Sequence, residues 1–115
     1  MNRDELYLRH VLDAIGKVER YVAVGYDEFM AASHWQDAAI RQLAVIGEAI
    51  KKISPELLGH RPDIPWRRIA GMRDVLIHDY MGVDLEAVWR VTQQELFQLR
   101  QAVEELLRKV QPSGS

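Results

Sequence analysis

Apolar residues recur at helical spacing along most of this chain. In the first stretch they lie three or four residues apart, which predicts an amphipathic helix. Its apolar positions are Leu8, Val11, Ile15, Val18 and Val22. Asn2 and Glu5 form a capping-box pattern before this helix, and Gly25 suits its C′ position.

A second stripe repeats the spacing and predicts a second long helix. Its apolar positions are Ala39, Leu43, Ile46, Ile50 and Ile53. Ser33 and Gln36 form another capping-box pattern in front of it, and the Ser54-Pro55 pair ends it.

Two prolines, Pro62 and Pro65, bracket a loop before a helix of medium length. Pro65 suits the first helical position, where a missing N–H costs nothing. We expect this helix to run from about Pro65 to about Tyr80 and to end at Met81-Gly82.

The last predicted helix begins after Asp84, a good N-cap, with Val83 and Val88 placed as a hydrophobic staple. Its expected inner stripe consists of Leu85, Val88, Thr92, Leu96, Leu99, Val103, Leu106 and Val110.

These elements predict an all-α protein, an up-and-down four-helix bundle with short connections. The pattern leaves room for a short fifth helix near either Asp27–Ala32 or Pro55–Leu58. We expect residues 1–111 to form a single helical domain, and residues 112–115 to be a disordered tail.

Composition narrows the function classes. Of 115 residues, 48% are hydrophobic, 28% are charged and none is cysteine. This excludes a disulfide framework and a Cys-ligated zinc site. No apolar run has the ~20 residues of a membrane span, and the charged N-terminus has no signal-peptide core. We therefore expect a cytoplasmic protein without membrane contact.

Charge is unevenly distributed. The chain carries a net charge of -2, yet residues 61–73 contain four arginines and one aspartate. Arg61, Arg67 and Arg68 are therefore weak candidates for RNA binding, because a local basic patch can steer a polyanion. The alternative is a solvated basic turn whose surface ion pairs contribute little.

Candidate chemistry lies at the end of the third predicted helix. Histidine is suited to proton transfer near neutral pH, which makes His78 a candidate catalyst. The planar guanidinium of Arg73 suits a phosphate, and Asp74 lies one turn before His78, where it can orient or tune the imidazole. RNA supplies its own 2′-OH nucleophile. The four histidines show no metal-ligand spacing, so neither a metal nor another cofactor is expected.

Two points weaken this interpretation when it rests on spacing alone. Such residues occur by chance in many helices, where His78 and Tyr80 are ordinary packed residues and Arg73 pairs with a carboxylate. Cleavage also needs both an acid and a base, and each chain has one histidine in this segment. A symmetric dimer would bring two copies to one cleft.

A longer string around these residues resembles the HEPN superfamily, in particular its small HepT-like toxins. The family's Arg-x4-His-x-Tyr motif is matched by Arg73, His78 and Tyr80. The same order of residues extends over about 4–110. It includes Ile46-Gly47-Glu48-Ala49, Lys52, Ile64-Pro65-Trp66, Ile69, Gly71-Met72-Arg73, His78-Asp79-Tyr80, Val83-Asp84 and Val88-Trp89.

The resemblance implies an all-α homodimer that cleaves RNA without a metal, with Arg73 and His78 catalytic between the subunits. It also implies pairing with an MntA-like minimal nucleotidyltransferase antitoxin. That partner would transfer AMP onto Tyr80, adding bulk and phosphate charge where the RNA phosphate must bind.

The chain departs from the family at Asp74, where many relatives carry asparagine. A carboxylate there either repels the RNA phosphate or orients His78. Two other functions therefore stay open. One is a non-catalytic HEPN module that binds nucleotide or docks a nucleotidyltransferase, and the other is a plain helical assembly protein.

Other side chains are interpreted structurally. Trp35, Trp66 and Trp89 favour core packing over base stacking. Glu48 either pairs with an arginine near the site or is solvated. Gly71 is expected to permit close approach between helices, either within the bundle or at the dimer contact.

Overall fold

The computed structural model describes residues 2–72, 74 and 84–111. The regular structure within these residues is helical and contains no β-strand, which confirms the all-α prediction. The elements are α1 (Arg3–Val22), α2 (Tyr26–Ala31), α3 (Ser33–Lys51), α4 (Pro55–Leu58), α5 (Trp66–Ala70), α6 (Leu85–Arg90), a π-helical turn (Val91–Glu95) and α7 (Leu96–Val110).

The three long helices form the core. Helix α1 packs along both α3 and α7, and the apolar stripes predicted from the sequence face one another there. Removing these side chains from water is the main force that holds the helices together. Most of the predicted stripe positions are buried, and Val22, Leu85 and Val110 are half-buried at helix ends.

The start of α1 follows its predicted cap. The Asn2 side chain accepts a hydrogen bond from the Glu5 N–H at 2.7 Å. The reciprocal half of the capping box is replaced by another contact, because the Glu5 carboxylate pairs with Arg9 at 3.0 Å.

Two other predicted caps are wrong. Helix α3 begins at Ser33 without a side-chain cap, because the Gln36 amide instead donates to the carbonyls of Phe29 and Met30 at the end of α2. Gly25 is not the C′ residue of α1. It is the N-cap of α2, and its φ of 95° is a backbone conformation that favours glycine.

Both short segments that the sequence left open are helical, as α2 and α4. Pro65 is the N-cap of α5 rather than its first helical residue, a shift of one position that is common at helix ends. Met72 and Asp74 are also helical. Helix α5 ends at Ala70 with Gly71 as its C-cap, so the predicted Pro65–Tyr80 helix is interrupted there. Arg73, residues 75–80, Met81-Gly82, Val83 and the tail at 112–115 lie outside the described residues.

The last predicted helix is not uniform. Asp84 caps it as expected, accepting a hydrogen bond from the Ala87 N–H at 3.0 Å. A π-helical turn then separates α6 from α7. Val88, Thr92 and Leu96 are all buried although eight residues separate the outer two. An ideal α-helix turns ~80° too far over that interval, and a wider turn absorbs the excess.

Candidate nucleic-acid interface

The motif residues Arg73, His78 and Tyr80 lie outside the described residues. Asp74 is described, and it is exposed, with its N–H donating to the Gly71 carbonyl at 3.0 Å. Met72, the residue before Arg73, is buried. The chain is therefore anchored in the core immediately before the motif begins.

Helix α5 is seated against α3 by a very close backbone approach. A Cβ atom built on Gly47 would lie 2.7 Å from the Ala70 carbonyl oxygen, closer than real Cβ contacts come. The same construction at Gly71 finds its nearest neighbour at 3.7 Å, an ordinary contact. Within one chain, Gly47 and not Gly71 is therefore the glycine that permits close approach, and a role for Gly71 at a dimer contact stays a prediction. The contact between Gly47 and Ala70 therefore fixes the distance between α3 and α5, the helix that precedes the motif.

Arg61 holds the loop that precedes α5. Its Nε and Nη2 donate to the Asp63 carboxylate at 3.0 and 2.8 Å, and its Nη1 donates to Glu105 of α7 at 2.9 Å. The hydrogen bonds from Arg61 hold the pKa of Asp63 below its usual range, and Asp63 raises the pKa of Arg61. These contacts engage the guanidinium in holding the loop, and RNA contact by Arg61 stays a prediction.

The neighbouring arginines point to different grooves. Arg67 is exposed and lines a groove of about 470 Å³ that also contains Lys51. Arg68 forms an ion pair with Glu95 of the π turn. RNA contact by Arg67 or Arg68 stays a prediction, but Arg67 is the more available of the two, because no carboxylate of the described residues lies within ion-pair distance of it.

A groove lined by both polar and apolar side chains lies between α5 and the π turn. It consists of two cavities of about 220 and 290 Å³ that share Arg68, Gln94 and Glu95. The first cavity extends to Met72, next to the motif, and Arg90 lines it. Sequence reasoning missed this groove, since it joins residues of two elements about 27 positions apart. In the sequence, the signal for the π turn was that the inner positions Val88, Thr92 and Leu96 are spaced by four residues twice in succession.

The tryptophans pack as expected. Trp66 lies against the core, and its indole N–H is shared between the carbonyls of Leu58 and Arg61, each at 3.0 Å. Trp89 packs against the Phe29 ring at 5.3 Å between centroids, and Trp35 also borders the core. The core-packing prediction for all three is confirmed.

Glu48 is exposed and pairs with no arginine among the described residues, which do not include Arg73. It forms an exposed ion pair with Lys51 at 3.1 Å, and 69% of its side chain is accessible. In the described part of the chain, no group of three or more His, Cys, Asp or Glu side chains is placed to hold a metal ion. None of the helices in the described residues combines the length and the apolar character that a membrane span requires.

Comparison with known proteins gives a consistent set of relatives. A family model described as "Ribonuclease HepT-like" matches residues 11–106. The chain is 37% identical over 101 residues to the "Probable ribonuclease HepT" of Thermococcus cleftensis, covering 87% of this chain and 92% of that protein. It is 36% identical over 104 residues to a "Putative RNase" of Caldanaerobacter subterraneus, covering 90% of this chain and 93% of that protein.

A longer relative is also similar. It is the "Gamma-glutamylcyclotransferase and putative RNase" of Methanocaldococcus jannaschii, 36% identical over 112 residues. The match covers 96% of this chain but 50% of that protein, so the chain spans half of its length. No solved structure matches the chain.

Proposed function

Because the chain belongs to the HepT-like ribonuclease family, we propose that it is a metal-independent endoribonuclease and the toxin of a type VII-like toxin–antitoxin pair. The family match confirms the predicted resemblance and the predicted enzyme class, a ribonuclease. The single observation that carries the proposal is this match over residues 11–106, which includes the whole Arg73–Tyr80 segment.

The proposed reaction uses the substrate's own nucleophile. The 2′-oxygen of RNA attacks the adjacent phosphorus while one His78 takes its proton. The bond to the 5′-oxygen breaks, and that oxygen receives a proton from a second imidazole. The products are a 2′,3′-cyclic phosphate and a free 5′-OH. Arg73 binds the phosphate oxygens, whose negative charge grows in the transition state.

The scheme uses two copies of His78 and therefore requires two chains. We propose that the active form is a cytoplasmic homodimer of the 1–111 domain. Asp74 acts by orienting or tuning His78. This role is compatible with the exposure of Asp74, which leaves its carboxylate accessible to a side chain four positions later in the sequence. Arg67 contributes phosphate contacts outside the bond that is cut, and Arg68 does so when its ion pair with Glu95 opens.

The proposed control is covalent. An MntA-like nucleotidyltransferase would bind ATP, and the Tyr80 hydroxyl would attack its α-phosphorus with release of pyrophosphate. The AMP group left on Tyr80 would add bulk and negative charge beside the motif and repel the RNA phosphate. We expect Tyr80→Phe to keep cleavage or weaken it modestly, and to abolish modification by the cognate partner. Modification that persists in Tyr80→Phe would show that the acceptor is another residue.

The decisive test is cleavage of total RNA by the purified protein in excess EDTA, beside a His78→Ala control. Intact-mass measurement first establishes that Tyr80 carries no AMP. Cleavage by the wild type alone, with cyclic phosphate and 5′-OH ends, is the expected result. Equal cleavage by both proteins would overturn the mechanism. No cleavage by either would favour a non-catalytic module that binds nucleotide or docks the nucleotidyltransferase.

A further inference from the structure

The groove between α5 and the π turn has a composition that suits a nucleotide. Two guanidinium groups, those of Arg68 and Arg90, line its first cavity of about 220 Å³. The floor of that cavity is apolar, formed in part by Met72 and Val91, both buried. A cationic wall over an apolar floor can bind a phosphate through charge-assisted hydrogen bonds while the base covers the apolar surface.

Uncharged amides continue the groove. Gln94 lines both cavities, and Gln98 lines the second, one helical turn further along the chain. An amide both donates and accepts hydrogen bonds, so it can pair with the edge of an unstacked base. The groove therefore offers charge for the backbone of a nucleic acid and hydrogen bonds for its bases.

Glu95 places a competing anion in the same groove. Its carboxylate pairs with Arg68, and 27% of its side chain is accessible against 52% for Arg68. A phosphate that approaches Arg68 must displace or share this carboxylate. Arg90 lies on α6, is exposed, and faces the cavity from the other wall.

We propose that this groove binds the single-stranded RNA next to the bond that is cut, with Arg90 holding a phosphate and Gln94 contacting a base. Glu95 limits the affinity by masking Arg68. The position of the groove supports this, since its first cavity reaches Met72 and the motif begins at the following residue. The inference rests on the proposed function, because it assigns part of the path of that function's substrate.

The test is binding of a labelled single-stranded RNA of mixed sequence by fluorescence anisotropy, at several salt concentrations and in EDTA. The full chain carries His78→Ala in every sample, so that the RNA stays intact. Arg90→Gln should weaken binding by about tenfold, the effect of one lost hydrogen bond to a charged group. It should also lower the slope of log K against log salt by about 0.7, the value for one phosphate contact on a single strand.

Two further variants separate charge from hydrogen bonding. Glu95→Gln should tighten binding and steepen the salt dependence, because it releases Arg68 toward phosphate. Gln94→Ala should weaken binding with no change of slope, because it removes hydrogen bonds and no charge. The matched control is Arg108→Gln, an exposed arginine in the last turn of α7, roughly 25 Å along the helix from Arg90. It should bind like the parent.

Equal behaviour of Arg90→Gln and Arg108→Gln would overturn the groove assignment, and so would unchanged binding in Glu95→Gln. Circular dichroism checks that each variant is folded, and Arg90→Lys, which keeps the charge, should retain the salt slope. Cleavage is measured separately in protein that retains His78. Cleavage without groove effects leaves the nuclease proposal and removes this one. Groove effects without cleavage remove the nuclease proposal and leave a groove that binds RNA without a role in cleavage.

Discussion

Gly47 offers the sharpest test of how the scaffold positions the motif. An alanine Cβ at this position would lie 2.7 Å from the Ala70 carbonyl oxygen, where an ordinary contact begins near 3.4 Å. The obstacle is backbone and cannot rotate away, so α5 must withdraw from α3 by about 0.7 Å if the contact is to become ordinary. That movement carries the chain that leads into Arg73.

Two opposing energies set the effect of Gly47→Ala on stability. Alanine is favoured over glycine in a helix interior by about 1 kcal/mol. Overpacking against a fixed neighbour costs about 1–3 kcal/mol. We therefore expect a net loss of about 1 kcal/mol, which lowers Tm by about 4 °C for a domain of this size.

Gly16 supplies a matched control. It lies inside α1, and a Cβ built on it meets nothing within 4 Å. Gly16→Ala should therefore show the helix-propensity gain alone, about 1 kcal/mol of added stability. The two glycine-to-alanine changes are predicted to move Tm in opposite directions.

The assays are urea and thermal unfolding at one protein concentration, which matters because self-association would shift the midpoint. RNA cleavage is measured alongside. A misplacement of about 1 Å can cost about 100-fold in rate, so Gly47→Ala should slow cleavage by about tenfold or more while Gly16→Ala leaves it unchanged. Equal stabilisation by both substitutions, with cleavage intact in both, would refute the reasoning.

Three other contacts give further predictions. Because its ion pair with Arg61 lowers the pKa of Asp63, that pair should stabilise the protein above the ordinary aspartate pKa of about 4 and lose its effect as pH falls through the lowered value. Asp63→Asn should thus unfold more easily than the wild type at neutral pH and equally easily in strong acid, and a gap that persists in acid would contradict this. The Glu86 carboxylate accepts a hydrogen bond from Tyr26 and raises its pKa, so Glu86→Gln should lower that pKa in an ultraviolet titration, and no shift would exclude the bond. Asp84→Ala should cost about 1 kcal/mol in thermal unfolding through the lost N-cap, whereas Asp84→Gly should cost only a few tenths, and equal costs would argue against a capping role.

The helices could be predicted from the sequence because burial repeats with the helical period. Leu8 to Val18 in α1 and Leu96 to Leu106 in α7 show this directly, since each predicted stripe became an inner face. Caps were less predictable. The Ser33 pattern failed because α2 ends directly before α3, and Gln36 bonds to the carbonyls at that end instead.

The candidate site divides in the same way. The family and the enzyme class could be recognised from the string around Arg73 and His78. The contacts that seat this string could not, because they join residues far apart in the chain. Gly47 contacts Ala70, which is 23 positions later in the chain, and no local sequence pattern predicts a contact over that separation. For the same reason the sequence pointed to Gly71 rather than Gly47 for close approach within the bundle, since a glycine in a sequence does not reveal which backbone it faces.

The π turn at Val91–Glu95 divides the last helical segment into two parts, and the buried face of one part is not set by the helical repeat of the other. The residues of α6 and those of α7 face the core at different rotations about the helix axis, and the wider turn between them accommodates the difference. Removing one residue from that turn would restore a uniform helix and rotate everything on one side by about 100° against the other. Either the buried face of α7 or the wall that carries Arg90 would then turn away from its present surroundings. The extra residue is thus what lets a continuous helix serve the core and the groove at once.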